Sequence, residues 1–257
     1  MSFDIYNKFR VRLQSNLKLC PSRRVIEMDR KIFFIDSGRH AGIRGFLRLS
    51  AGRRQKRAKA VSKEEAVQDV EAIVLSIPFA KYPDVAPLFN NVPEATVVID
   101  TSNYYPFRER AIADIDGGKP ESVWVSEQIG RPVVKAFNAV LAVTLAEKGQ
   151  PSGASGRIAV PVAGDDPEAK AVAAKLVDAT GFDPVDSVGL LNSWRQQPST
   201  PAYCTELTTS ELKAALQSAD KARAPENREA LLCSFASSLV TTLSFPALTT
   251  KAHARSC

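Results

Sequence analysis

Histidine is almost missing from this chain. Only His40 and His253 occur among its 257 residues, so the body between them can assemble neither a histidine-dependent catalytic triad nor a histidine-rich metal site. Cysteine is as sparse. Cys20, Cys204, Cys233 and Cys257 have no metal-ligand spacing, which argues against both a metal centre and disulfides and for ordinary thiols in a reducing compartment. Glycine is absent from Met1 to Lys31, and the next candidates, Gly38, Gly42 and Gly45, do not match G-x-G-x-x-G. Uninterrupted apolar runs of membrane-spanning length are also lacking. The uncharged stretch Ala230 to Thr250 is rich in Ser and Thr and holds Pro246, which makes a poor bilayer helix, and Arg10, Arg12 and Lys18 break up any leader-like apolar region. A soluble, cytoplasmic protein without a membrane partner is expected.

Charge is divided unevenly. Residues 1–60 hold sixteen Lys/Arg against Asp4, Glu27, Asp29 and Asp36, a net +12, so the other 197 residues carry −6 of the overall +6. The excess of basic charge therefore belongs to the N-terminal segment and not to the body. Its densest part, Arg53-Arg54-Gln55-Lys56-Arg57, could serve as an arm for nucleic acid, which would show as a steep salt dependence of binding. A solvated, poorly folded segment is the preferred reading, and no nucleic-acid partner is expected.

The body reads as alternating strands and helices. Ala72 to Ile77 (AIVLSI), Thr96 to Asp100 (TVVID), Pro132 to Phe137 (PVVKAF), Ile158 to Val162 and Pro184 to Val188 are short and rich in β-branched residues. Helix-length segments lie between them, at Pro83 to Phe89, Glu121 to Ile129, Asn138 to Glu147 and from Pro167 to the stop at Gly181. Near-continuous Val/Ile runs predict strands covered on both faces. The fold class is therefore α/β, a Rossmann-like, doubly wound and mainly parallel sheet in one domain over 31–228, flanked by an atypical basic segment (1–30) and an atypical tail (229–257). Ligands of such sheets bind beyond the carboxyl ends of the strands, here Pro78-Phe79, Thr101 to Tyr105, and Asn138.

Several polar residues have structural explanations at this level. Asp165-Asp166 before Pro167 reads as a helix N-cap rather than a catalytic carboxylate pair. Lys135, inside a strand signal, is expected to face solvent at a pleat. Asp100 ends a strand where a ribose or metal partner could sit. Tyr104, Tyr105, Trp194 and Tyr203 could stack on a flat cofactor or simply pack, and Trp194-Arg195 adds a cation beside a ring.

The blocks AIVLSIPF (72–79), VVIDTSNYYP (97–106), RPVVKAFN (131–138), IAVPVAGDD (158–166) and SWRQQPSTPAY (193–203) together resemble the NADPH-dependent deazaflavin-coenzyme (F420-type) reductase family. That family shares its dinucleotide-binding domain with pyrroline-5-carboxylate reductases. The resemblance spans roughly Val61 to Arg228 and implies hydride transfer from NADPH to a flavin- or deazaflavin-like small-molecule acceptor. It implies that Ile77, Pro78 and Phe79 wall the nicotinamide, that Ser102 and Asn103 rather than Asp100 line the pocket, and that Val134, Ala136, Phe137 and Asn138 border the acceptor. Lys31 to Asp36 (KIFFID) resembles the family's second strand, which puts Ser37 and Arg39 near the 2′-phosphate of NADP. The family's Gly-rich turn after its first strand is not found, so a catalytically impaired dinucleotide-fold protein stays open as an alternative. A homodimer is the assembly left open.

Overall fold

The computed structural model describes residues 30–36, 43–44, 46–49, 60–106, 109 and 111–222, with the strands before residue 62 given by their backbone alone. Ser37, Arg39 and the tail 229–257 lie outside the described residues.

The central sheet has five strands. They are β1 (Arg30–Asp36), β3 (Phe46–Leu49), β5 (Ala72–Ser76), β6 (Val97–Asp100) and β7 (Val134–Lys135), in the spatial order β3-β1-β5-β6-β7. β1, β5, β6 and β7 run parallel, with Asp36 opposite Ser76, Leu75 opposite Asp100 and Asp100 opposite Lys135, while β3 pairs antiparallel with β1. Two short strands, β2 (Ile43–Arg44) and β4 (Ala60–Val61), form a separate ribbon.

Period-two alternation explains why strands that read as unbroken apolar runs fit here. Ala72 and Val74 of β5, with Val97 and Ile99 of β6, point to one core cluster, whereas Ile73, Leu75 and Val98 point to another on the opposite face. The first cluster is closed by β8 (Ala159–Val162) and α6 (Pro167–Ala179), through Val160, Val162, Ala173, Leu176 and Val177. Covering the second face are α2 (Tyr82–Val85), the 3-10 turn Ala86–Asn91, α3 (Ala113–Asp116) and α4 (Glu121–Ile129). Two further short helices are α1 (Lys63–Ala66) and α5 (Ala142–Glu147). The result is an α/β layer arrangement of the Rossmann-like type.

Two expectations are corrected. The segment 158–162 does not extend the parallel sheet: β8 pairs in parallel with β9 (Asp183–Asp186), and that ribbon meets β7 through an antiparallel bridge between Lys135 and Ala163. Its outer side is filled by α7 (Thr209–Ser218), whose Leu212 and Leu216 pack on Ala159 and Val185. Second, β1 lies directly beside β5. In a dinucleotide sheet of order 3-2-1-4-5-6 that is the place of the first strand, not the second, and the strand on its outer side, β3, is antiparallel.

Local signals act as their chemistry dictates. The Asp166 carboxylate accepts from the Glu168 N–H at 2.9 Å and caps α6, with Pro167 in the first turn, and Asp165 accepts from Leu190 N–H at 2.8 Å. Gly181 follows the helix at φ +95°. A capping box of Thr208 and Glu211 starts α7.

Candidate coenzyme site at the carboxyl edge

β5, β6 and β7 end side by side, so Pro78, the 101–105 segment and Ala136 to Asn138 emerge along one edge. Two of the sequence-predicted residues, Pro78 and Asn103, are half-buried there. Pro78, at φ −55°, stiffens the exit from β5. Ile77 and Phe79 instead belong to the core. Phe79 stacks on Trp124 with ring centroids 5.0 Å apart and packs against Tyr104 and Tyr82 at 5.5 and 5.6 Å. Ala136 is buried, its N–H donating to Asp100 O at 3.2 Å.

Asn138 is buried as well, and its side chain is occupied. Its Nδ2 donates to Asn103 Oδ1 at 3.1 Å and to Gln196 O at 2.7 Å, its Oδ1 accepts from Gln196 Nε2 at 3.0 Å, and Asn103 Nδ2 returns a bond to Asn138 O at 3.1 Å. Gln196, on the 3-10 segment Leu190–Gln196, is fully buried and receives Ser187 Oγ at 2.6 Å. A chain of amides thus runs from the end of β9 to the end of β6. Asn138 therefore orients Asn103, whose Nδ2 carries a second N–H beyond the one given to Asn138.

Beneath the edge lies a buried ionic hub, where Lys135 departs from expectation. Rather than facing solvent it is fully buried, because β7 is covered on both faces; its Nζ lies 3.0 Å from Asp100 Oδ2, 2.5 Å from Ser102 O and 3.7 Å from Glu121 Oε2. Asp100 also accepts from Tyr82 OH (2.6 Å), Ser102 N (2.9 Å), Ser102 Oγ (2.6 Å) and Ser122 Oγ (2.7 Å). Burial alone would raise this carboxyl's pKa, yet Lys135, Ser102 and Tyr82 together hold it below its ordinary value. Burial, then the nearby Asp100 charge, pushes the Tyr82 hydroxyl well up. Asp100 is consequently a saturated internal acceptor with no lone pair aimed at a ribose or metal.

Three further groups complete the rim. Glu109 receives the consecutive N–H groups of Phe79 and Ala80 at 3.1 and 2.6 Å. The hydroxyls of Tyr105 and Tyr203 are in contact, tying the 101–105 segment to the one after the Leu190–Gln196 turn. Burial and Tyr105 raise the Tyr203 pKa, so that hydroxyl stays neutral. The Arg195 guanidinium sits 4.5 Å from the Trp194 ring centre, as their adjacency predicts, and it caps the carbonyls of Leu216 and Ala219. Glu109 and Ser122 carry no sequence signal that would mark them, and Gln196 was visible only as part of the SWRQQ block. A cavity of about 560 Å³ opens at the opposite, amino edge, between Arg131, Val133, Asp165 and Val172. Among the described residues no group of three or more His, Cys, Asp or Glu could hold a metal ion, and no helix is long and apolar enough to cross a membrane.

Comparison with known proteins gives this geometry a context. Residues 23–104 match the family model described as NADP oxidoreductase coenzyme F420-dependent. The Escherichia coli (strain K12) protein YjhV is 45% identical over 85 residues, 33% of this chain, which spans 62% of YjhV. Among solved structures, the hypothetical protein SMa0349 from Sinorhizobium meliloti is 29% identical, with 57% of this chain and 70% of that one covered and a TM-score of 0.49. A pyrroline-5-carboxylate reductase from Coxiella burnetii is 14% identical, with 74% and 68% covered and a TM-score of 0.32. Over residues 23–104 this chain thus carries the sequence pattern of the coenzyme F420-dependent NADP oxidoreductase family.

Proposed function

We propose that the chain binds NADPH across the carboxyl edge of β1, β5, β6 and β7 and passes a hydride between its nicotinamide and a flat flavin- or deazaflavin-like acceptor. The observation that carries this reading is the convergence of Pro78, Asn103 and Ala136 to Asn138 on one edge of a parallel sheet, within and beside the stretch that matches the NADP oxidoreductase family. The nicotinamide supplies the hydride; the protein's part is to hold two planar rings face to face and to exclude water.

The residues at the edge fit that part. No His, Cys or free carboxylate is needed for hydride transfer, and apart from Glu109, whose carboxylate receives the Phe79 and Ala80 N–H groups, the polar side chains here are amides and hydroxyls. Pro78 gives a rigid wall, and Asn103 offers its second amide N–H to a ligand carbonyl. Asn138 and Gln196 lock that amide's orientation. Ser37 and Arg39, which follow β1, supply the hydroxyl and the cation for the dinucleotide's phosphates. A cytoplasmic setting, where reduced nicotinamide nucleotides are available, suits this activity.

Fluorescence titration with NADPH and NADH tests the assignment, followed by mixing the NADPH complex with a deazaflavin or flavin. NADPH is expected to bind more tightly, as the family match suggests, and Arg39→Ala, after the strand in first place, to weaken both nucleotides. Tighter NADH binding, or binding unchanged by Arg39→Ala, refutes it. Failure to bind either nucleotide would favour a dinucleotide-fold protein without turnover, a reading supported by the lack of glycine from Met1 to Lys31.

A further inference from the structure

We propose that Lys135 is a positioning residue: its buried ammonium, anchored by Asp100, fixes the Ser102–Asn103 turn at the carboxyl edge and so sets the surface presented to the coenzyme. The last step rests on the function proposed above; the first does not.

The reasoning begins from cost. An ammonium and a carboxylate removed from water in the middle of a sheet are, for stability alone, no better than an apolar pair of the same volume. Here the register already pairs β6 with β7 through backbone bonds, so the ion pair is not required to join the strands. What the pair adds is a set of bonds reaching past the end of β6. Asp100 Oδ1 receives both the N–H and the hydroxyl of Ser102, which folds the chain back on itself, and Lys135 Nζ donates to Ser102 O from the other side. Ser102 is therefore held at its N–H, its hydroxyl and its carbonyl by two charged groups, while Asn103, next in sequence, bonds to Asn138 three residues past Lys135. Tyr82 and Ser122 satisfy the remaining lone pairs of Asp100, so the carboxylate has no freedom to turn away.

A structural role and a positioning role make different predictions when both charges are removed. In Lys135→Met the carboxylate is left buried and unpaired, and both the melting midpoint and the order of the turn should fall. In the double variant Asp100→Asn/Lys135→Met the Asp100 charge leaves with its partner and only Glu121, 3.7 Å from Nζ, loses its ammonium, so the midpoint should recover part of the way towards wild type, yet Ser102 O still lacks its donor. Backbone amide exchange over residues 101–105, measured by mass spectrometry without nucleotide, should rise about tenfold or more in both variants, the equivalent of one lost bond from a charged donor. Exchange in β8 and β9 should not change in the double variant. Wild-type exchange over 101–105 in the double variant would overturn the proposal, as would recovery of turn and midpoint together; should Lys135→Met fail to fold, the double variant alone decides. NADPH titration separates the two readings. If wild type binds NADPH and the double variant, with its turn loosened, binds it equally well, the link from Lys135 to the coenzyme surface is refuted. If wild type binds neither NADPH nor NADH, the proposed function falls while the exchange result still judges the positioning of the turn.

Discussion

Replacing Tyr82 by Phe removes a single oxygen from the centre of the molecule and tests whether the Asp100 hub is built as described. Tyr82 is fully buried, and its hydroxyl donates to Asp100 Oδ1 at 2.6 Å. The ring itself makes an edge contact with Phe79, centroid to centroid 5.6 Å at 61°, which a phenylalanine would keep. The substitution therefore isolates one bond from a neutral donor to a buried charge. Such bonds contribute about 1.5–3 kcal/mol. For a chain of this size each kcal/mol corresponds to about 2–4 °C in Tm, so a fall of about 3–12 °C is expected. Asp100 keeps its bonds to Ser102, Ser122 and Lys135, so the loss should not climb to the larger penalty of an unpaired buried charge. Urea unfolding at neutral pH, checked for reversibility and for an unchanged m-value, measures the difference. A loss under about 0.5 kcal/mol, the size expected of an ordinary surface substitution, would refute the buried Tyr82–Asp100 bond.

The parts of this architecture that are legible in sequence are those governed by local periodicity. AIVLS and VVID announce themselves as strands because both of their faces are apolar, and Asp166-Pro167 marks the start of α6 because an N-cap and an early proline act within a single turn. Glu121 to Ile129 has the same bounds in sequence and in structure. The carboxyl edge follows from these elements, since parallel strands necessarily deliver their following loops to one side.

What was hidden depends on partners distant in the chain. Lys135 reads as a surface lysine because its neighbours in sequence say nothing of Asp100, 35 residues away, which with Ser102 O and Glu121 makes its burial tolerable. The same distance hides the roles of Asn138 and Gln196: an asparagine at a strand end suggests a ligand contact, but its amide is consumed by a glutamine 58 residues further on. The family resemblance makes Ile77 and Phe79 pocket walls together with Pro78, yet both side chains turn into the core and leave the proline at the rim. The separation of β8 and β9 from the main sheet was equally invisible, because an antiparallel bridge between Lys135 and Ala163 is a matter of pairing and leaves the apolar pattern of β8 unchanged.

Two further outcomes are expected. Gly181→Ala should cost about 2–4 kcal/mol, from strain at a φ of +95° and from a Cβ placed 2.8 Å from the backbone of Gly149 and Gln150, and chemical denaturation showing a loss below 1 kcal/mol would mean that the 149–150 loop does not pack there. Acid should destabilise the protein in a manner traceable to Asp100. Its carboxyl is held below its ordinary value in the fold, so between the unfolded value of about 4 and the lower folded one the unfolded state binds more protons. The stabilisation is therefore complete above about pH 5 and is lost as pH falls through that window. Asp186, Glu206 and Glu211 are lowered too, but they lie towards solvent and are common to wild type and Asp100→Asn. Comparing the urea midpoints of the two proteins from pH 6 down to pH 3.5 thus isolates the buried group: the gap between them should be widest at pH 6 and narrow with acid, because protonated Asp100 resembles an amide more closely than a carboxylate does. A gap that stays constant across that range would show that the Asp100 carboxylate is not the group whose charge the fold depends on.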